Sequence, residues 1–155
     1  MISCVYVCPD LELLETEEPK SDLYGITYRR CPSFFQLCHN DFVDQASFLR
    51  GVELFNHGEF FEAHEVLEDV WRPAPAAEKR FLQGLIQIAV SFHHRSTGNM
   101  VGARSLLERG CSNLSCYPGS YAGIDLDNLR EALAPWHEAL SDGSPAPPMP
   151  RVEFK

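Results

Sequence analysis

Positive charge is scarce in this chain. Lysine and arginine together number 13 against 22 aspartates and glutamates, which gives a formal net charge of −9 and a pI near 5.0. Nucleic acids and anionic membrane surfaces select basic faces, so neither is expected as a main partner. Long apolar runs are missing too. No stretch approaches the roughly 20 residues that a helical membrane span requires. The opening "MISCVYVCPDLELLETEEP" has no basic start and turns acidic by Glu12, so it does not read as a secretory signal. The six cysteines contain no C-x-x-C pair; they fall at Cys4 and Cys8, Cys31 and Cys38, and Cys111 and Cys116. Without an export signal they are expected as reduced thiols in the cytoplasm. "CPSFFQLCHND" places Cys31, Cys38 and His39 near one another, but at a spacing that matches no common zinc finger. Idle or buried thiols are the plainer reading. A phosphate-binding glycine loop, a dinucleotide fingerprint and a nucleophile elbow are all lacking.

What is present is helical text. The 155 residues, 45% hydrophobic and 23% charged, suffice for one packed core. Residues 1–40 carry little periodicity and read as an irregular arm. Residues 41–141 read as a helical domain, and residues 142–155 as an extended Pro-rich tail from which Val152 and Phe154 offer docking side chains. In "DFVDQASFLRGVELFNHG", Phe42, Ala46, Leu49, Val52 and Phe55 form one stripe, and Gly58 suits a left-handed stop. "EFFEAHEVLEDVW" puts Phe60, Ala63, Leu67, Val70 and Trp71 on one face and Glu62, Glu65, Asp69 and Arg72 opposite. His64 and Glu68 fall between, beside Phe61. Pro73 and Pro75 end that helix. "AAEKRFLQGLIQIAVSFHHRSTG" is apolar almost all round, which predicts burial on most sides, except for a polar stripe of Gln83, Gln87 and His94. "NMVGARSLLERGCSNL" predicts a fourth helix and "YPGSYAGIDLDNL" a turn-rich connector. "LDNLREALAPWHEAL" predicts a fifth helix, bent or divided at Pro135, with Asp125 or Asp127 as its N-cap.

An internal echo organises these helices. "GEFFEAHEVLE" and "GNMVGARSLLE" align glycine, alanine, leucine and glutamate in register, about 40 residues apart. Two such hairpins are too few for a free-standing solenoid. The expected fold is therefore all-α: a compact bundle of about five helices, built from two helix–turn–helix hairpins and a C-terminal helix.

The stretches "FNHGEFFEAHEVLEDVW", "FLQGLIQIAVSFHHRSTGNMVGARSLLERG" and "YAGIDLDNL" together resemble the bacterial and plant family called domain of unknown function 309, from about Phe48 to Leu140. The resemblance implies an all-α domain and no established activity. The family's shared pattern falls on Gly58, Glu59, Glu62, His64, Glu65, Glu68, Trp71, Gln83, Gly84, Gln87, His93 or His94, Gly98, Asn99 and Gly102.

Three readings of the polar residues follow. In the first, His64, Glu68, Gln83 and Gln87 form one hydrogen-bonded network that fixes the register of two apolar helices, because an unpaired buried polar group costs on the order of 1–3 kcal/mol. In the second, His64, Glu65, Glu68, Trp71, Gln83, Gln87 and His94 hold a small polar ligand, with amides for directional contacts and the Trp71 ring for area. In the third, His64 and Glu68, one helical turn apart, bind a divalent metal with His94 as third ligand and support hydrolase-like chemistry. A non-catalytic binding or interaction domain is the leading expectation, and the metal-assisted enzyme is the alternative. A protein partner recruited through a groove or through the Pro-rich tail is a further possibility. Phe60, Phe61, Phe81 and Phe92 are expected in the core, and His57 in an exposed turn.

Overall fold

The computed structural model describes residues 44–155; the expectations for residues 1–40, the Cys31/Cys38/His39 grouping among them, lie outside the described residues. Five helices follow one another: α1 (Gln45–Asn56), α2 (Phe60–Trp71), α3 (Ala76–Ser96), α4 (Met100–Leu114) and α5 (Leu126–Asp142). Between α4 and α5 lie two short strands, β1 (Ser120–Tyr121) and β2 (Ile124–Asp125). The fold is the expected compact all-α bundle. Among the described residues no helix is long and apolar enough to cross a membrane.

The two hairpins share the same turn. His57 and Thr97 end α1 and α3 with φ −91° and −90°. Gly58 and Gly98 follow with φ +81° and +83°, a left-handed conformation in which a Cβ would be strained. Glu59 and Asn99 then start the next helix, with φ −81° and −83°. Ala63 and Ala103, and after them Leu67 and Leu107, are buried in both copies. The echo in the sequence is thus a repeated piece of backbone. One difference remains: Asn99 accepts a hydrogen bond from the Gly102 N–H, while the Glu59 side chain makes no cap bond.

α3 packs between α2 and α4, and small residues set the closeness of the α3–α4 seam. A Cβ on Gly110 would stand 2.9 Å from the Gly84 carbonyl oxygen and 2.7 Å from Ile88 Cγ1. The buried Ser91 hydroxyl crosses the same seam and donates to the Ala103 carbonyl at 2.6 Å. Elsewhere the core is aromatic. Phe55, Phe60 and Phe92 meet with ring centroids 5.3–6.1 Å apart, and Trp136 of α5 closes on Phe92 at 5.1 Å. A second group joins Phe81 to Tyr117 and Tyr121 at 5.5 and 4.8 Å.

α5 is one undivided helix. Asp125 is its N-cap, accepting from the Asn128 N–H, and the helix runs through Pro135 as one element. Proline removes one helical hydrogen bond, to the Glu131 carbonyl. Both residues are exposed, so solvent can take the orphaned acceptor. Arg130 ties α5 back to the end of α4 by donating to the Leu114 and Tyr117 carbonyls, both at 2.7 Å.

The tail is docked. Val152 is buried. Asn56 Nδ2 donates to its carbonyl at 2.9 Å, and its N–H donates to Asn56 Oδ1 at 2.7 Å. Trp136 Nε1 donates to the Pro148 carbonyl at 3.1 Å. Phe154 forms a bridge to Ile124, so the tail runs antiparallel beside the short hairpin. These strands were not legible: β1 and β2 have two residues each, and their neighbour arrives from far along the chain.

Candidate functional site

The expected cluster rested on α3 turning its polar stripe towards α2, and the coordinates arrange these side chains otherwise. Gln83 is exposed and Gln87 half-buried. The Gln87 amide oxygen accepts from Asn113 Nδ2 of α4 at 3.1 Å, and Asn113 Oδ1 accepts from Arg80 Nε at 3.3 Å. Gln87 therefore serves the α3–α4 seam. With α2 and α4 packed on two flanks of α3 and the aromatic core behind it, the remaining flank faces outward and carries Gln83.

On α2, His64 Nδ1 lies against the Phe61 carbonyl one turn back. A carbonyl only accepts, so Nδ1 carries the proton and Nε2 is left for another partner. Glu68 pairs with Arg72 at 3.6 Å. Among the described residues no hydrogen bond joins His64 to Glu68, or either of them to Gln83 or Gln87. His94 Nδ1 faces Asn99 Nδ2 at 3.2 Å. Because Asn99 Oδ1 is occupied by the Gly102 N–H at 2.9 Å, the amide nitrogen is the donor and His94 Nδ1 accepts. Among the described residues no three His, Cys, Asp or Glu side chains gather so as to hold a metal ion. His64, Glu68 and His94 each have a different hydrogen-bond or ion-pair partner: the Phe61 carbonyl, Arg72 and Asn99.

Trp71 also differs from a free ligand platform. Lys79 Nζ lies 4.3 Å from its ring centroid. The same ammonium donates to the Trp71 and Arg72 carbonyls at 3.2 and 3.0 Å, which caps the end of α2. Among the described residues the buried indole Nε1–H has no hydrogen-bond partner. The pocket at the centre of the core, between Val52, Leu67, Ile88 and Leu129, holds about 10 Å³, no more than one water. A groove of about 200 Å³ lies elsewhere, between Leu49, Ala122 and Phe154. Neither is lined by His64, Gln87 or His94.

The structure does bring one group together around Phe61. Phe61, expected in the core, is 44% exposed. Its ring packs against His64 at 4.9 Å and His93 at 5.3 Å, and His93 neighbours His94 at 6.3 Å. His94 leads through Asn99 to Met100 and Val101, which are 48% and 84% exposed. The start of α2, the end of α3 and the start of α4 therefore share one end of the bundle, with three apolar side chains open to solvent and three imidazoles among them. The signal was available in the periodicity: Phe61 lies off the stripe of Phe60, Ala63 and Leu67, beside His64. Met100 and Val101 stand in the first turn of α4, before the buried Ala103.

Fold and site together define a small all-α domain of paired helical hairpins. The model of the family described as Domain of unknown function (DUF309) matches residues 48–106, which takes in α1 to the middle of α4. The resemblance read from the sequence is thus shown for that segment, which stops short of α5. A protein of Aquifex aeolicus (strain VF5) is 31% identical over 80 residues, 51% of this chain and 24% of that protein. The Bacillus subtilis (strain 168) protein YpuF is 32% identical over 80 residues, 51% of this chain and 46% of its own length. Both are named only as uncharacterized, and the match spans less than half of either.

Proposed function

We propose that this domain is a non-catalytic, cytoplasmic interaction module that engages a partner protein at the end of the bundle where α2 begins and α3 ends. The observation that carries this reading is the exposure of Phe61 beside His64 and His93, with Met100 and Val101 exposed at the start of α4 on the other flank of α3. Single exposed apolar residues are ordinary on protein surfaces, whereas grouped ones mark interaction sites. Phe61 and the imidazoles offer a flat, amphipathic contact area of the kind that anchors interfaces. His64 Nε2 adds a hydrogen-bonding atom at its edge. The polar residues then divide into two jobs. Gln87, with Asn113 and Arg80, orders the seam between α3 and α4, while His64, Glu65, His93 and His94 belong to the contact surface.

The test is affinity capture with the full chain against cell extract, comparing wild type, Phe61→Asp and Met149→Asp. Met149 is also exposed but lies in the tail. A partner enriched by wild type and by Met149→Asp, and lost with Phe61→Asp while the helical circular dichroism is unchanged, supports the reading. Equal enrichment by all three sinks it.

A further inference from the structure

One edge of the tail is only partly supplied with hydrogen-bond partners. Towards β2, the Glu153 carbonyl accepts from the Asp125 N–H at 2.9 Å, and the Lys155 N–H donates to the Gly123 carbonyl at 2.8 Å. Val152 and Phe154 turn their backbone groups the other way, because alternate residues of an antiparallel strand face opposite edges. On that outer edge Asn56 of α1 takes both groups of Val152. Two residues on, the Phe154 N–H and carbonyl have no hydrogen-bond partner among the described residues. There the groove of about 200 Å³ opens, between Phe154 and Lys155 of the tail and Gln45, Phe48 and Leu49 of α1. Leu49 and Phe154 are both exposed beside it. An open strand edge next to apolar side chains is the arrangement that takes an added extended segment.

The chain's own N-terminal segment is the occupant that the position of the groove favours. It enters α1 at the N-cap Asp44, one residue before Gln45 on the groove wall. Val43 and Phe48 stand at the two positions, N′ and N4, whose side chains staple a helix start, and Phe48 lines the groove. Such a staple directs the incoming chain over this face of α1. Upstream, "SFFQL" supplies Phe34, Phe35 and Leu37, and Asn40 and Asp41 are turn-forming residues between it and the helix. The groove is smaller than the roughly 300–1,000 Å³ of small-molecule sites and suits apolar side chains instead. Tethering gives the segment an effective concentration on the order of mM, so even weak docking competes well with a free partner.

We propose that residues 33–37 dock along this groove as an extended segment, hydrogen-bonded to the Phe154 N–H and carbonyl. Neighbouring side chains of an extended segment point to opposite faces, so one ring of Phe34 and Phe35 packs against Leu49 and Phe154. A turn at Asn40 and Asp41 reverses the chain between this segment and α1. The proposal is independent of the contact surface at Phe61.

The test is NMR of the isotope-labelled full chain. Nuclear Overhauser contacts are expected between the Leu49 methyl groups and the ring of Phe34 or Phe35. The Phe154 amide is expected to exchange with solvent about tenfold more slowly in the wild type than in the double variant Phe34→Ser, Phe35→Ser. Leu49→Asp, on the opposite wall of the groove, should release the Phe154 amide likewise, and Met149→Asp should leave it protected. Absence of the Overhauser contacts in the wild type, or a Phe154 amide equally protected in the double variant, overturns the proposal. Contacts and protection that appear only as chain concentration rises assign the groove to a second copy and overturn it as well.

Discussion

Asn56, the last residue of α1, holds Val152 by both backbone atoms, giving and accepting one hydrogen bond across 96 positions of sequence. The side-chain amide acts here as a strand neighbour would, satisfying a carbonyl and an N–H that Val152 needs paired in order to be buried. The Pro-rich tail is therefore part of the folded body. Asn56→Ala leaves two buried backbone groups unpaired and is expected to cost about 1–3 kcal/mol per group at most. Thermal denaturation should show a lower Tm, and removal of residues 143–155 should lower it further by uncovering Trp136. An unchanged Tm in both variants would mean that the tail is not docked in solution.

The inequality between the two turns yields a gain-of-stability prediction. Glu59→Asn introduces at α2 the cap that Asn99 supplies at α4, and is expected to stabilise the domain by about 1 kcal/mol. Denaturant unfolding checks this through a higher midpoint at unchanged slope.

The α3–α4 seam tolerates no added carbon. Gly110→Ala forces its Cβ against the Gly84 carbonyl and Ile88, and is expected to cost about 1–3 kcal/mol. Gly58→Ala differs: no heavy atom lies within 4 Å of its added Cβ, so any loss comes from the left-handed backbone alone. Urea denaturation of the pair separates overpacking from backbone strain.

Cys111 is expected to be chemically quiet. Burial pushes its thiol up to about 11, opposed only in part by the Arg130 guanidinium. Little thiolate exists near neutral pH, and alkylation needs the thiolate. Peptide-level mass spectrometry after brief iodoacetamide treatment should find Cys111 almost unlabelled in native protein and fully labelled in urea. Rapid native labelling would contradict its placement against α5.

Acid should act in two stages. Burial holds the His137 imidazole below the ordinary value of 6.5, with Glu108 opposing the shift. The folded state therefore favours neutral His137, and stability begins to fall as pH drops below that value. Asp125 is held below the ordinary carboxylate value, first by the Asn128 N–H and further by Lys155. Its contribution is present above the unfolded value near 3.8 and is lost as pH falls through the lower folded value. His137→Gln should remove the first stage and Asp125→Ala the second in a pH series of denaturation midpoints.

Much of the architecture was legible because it rests on local rules. Gly58 and Gly98 mark turns that need positive φ, and the spacing of Phe60, Ala63 and Leu67 marks a buried face. Asp125 and Asp127 both suit an N-cap for α5, and Asp125 is the one that caps it. The site was less legible, since periodicity gives the angle of a side chain about its own helix but not which neighbour lies there. Gln87 and His64 both looked inward from their helices, yet Gln87 found Asn113 on α4 and His64 found the carbonyl of Phe61. Phe61 suits a core by residue type, although its position beside His64 sets it off the apolar stripe. The docking of Val152 on Asn56 is a long-range pairing that no local pattern encodes.

The central claim is that the domain meets its partner at the end of the bundle carrying Phe61. Hydrogen–deuterium exchange of the full chain, alone and with the captured partner, tests it most directly. The account predicts new protection in residues 59–65 and 93–104. Protection confined to the groove between Leu49, Ala122 and Phe154, with residues 59–65 unchanged, would contradict it.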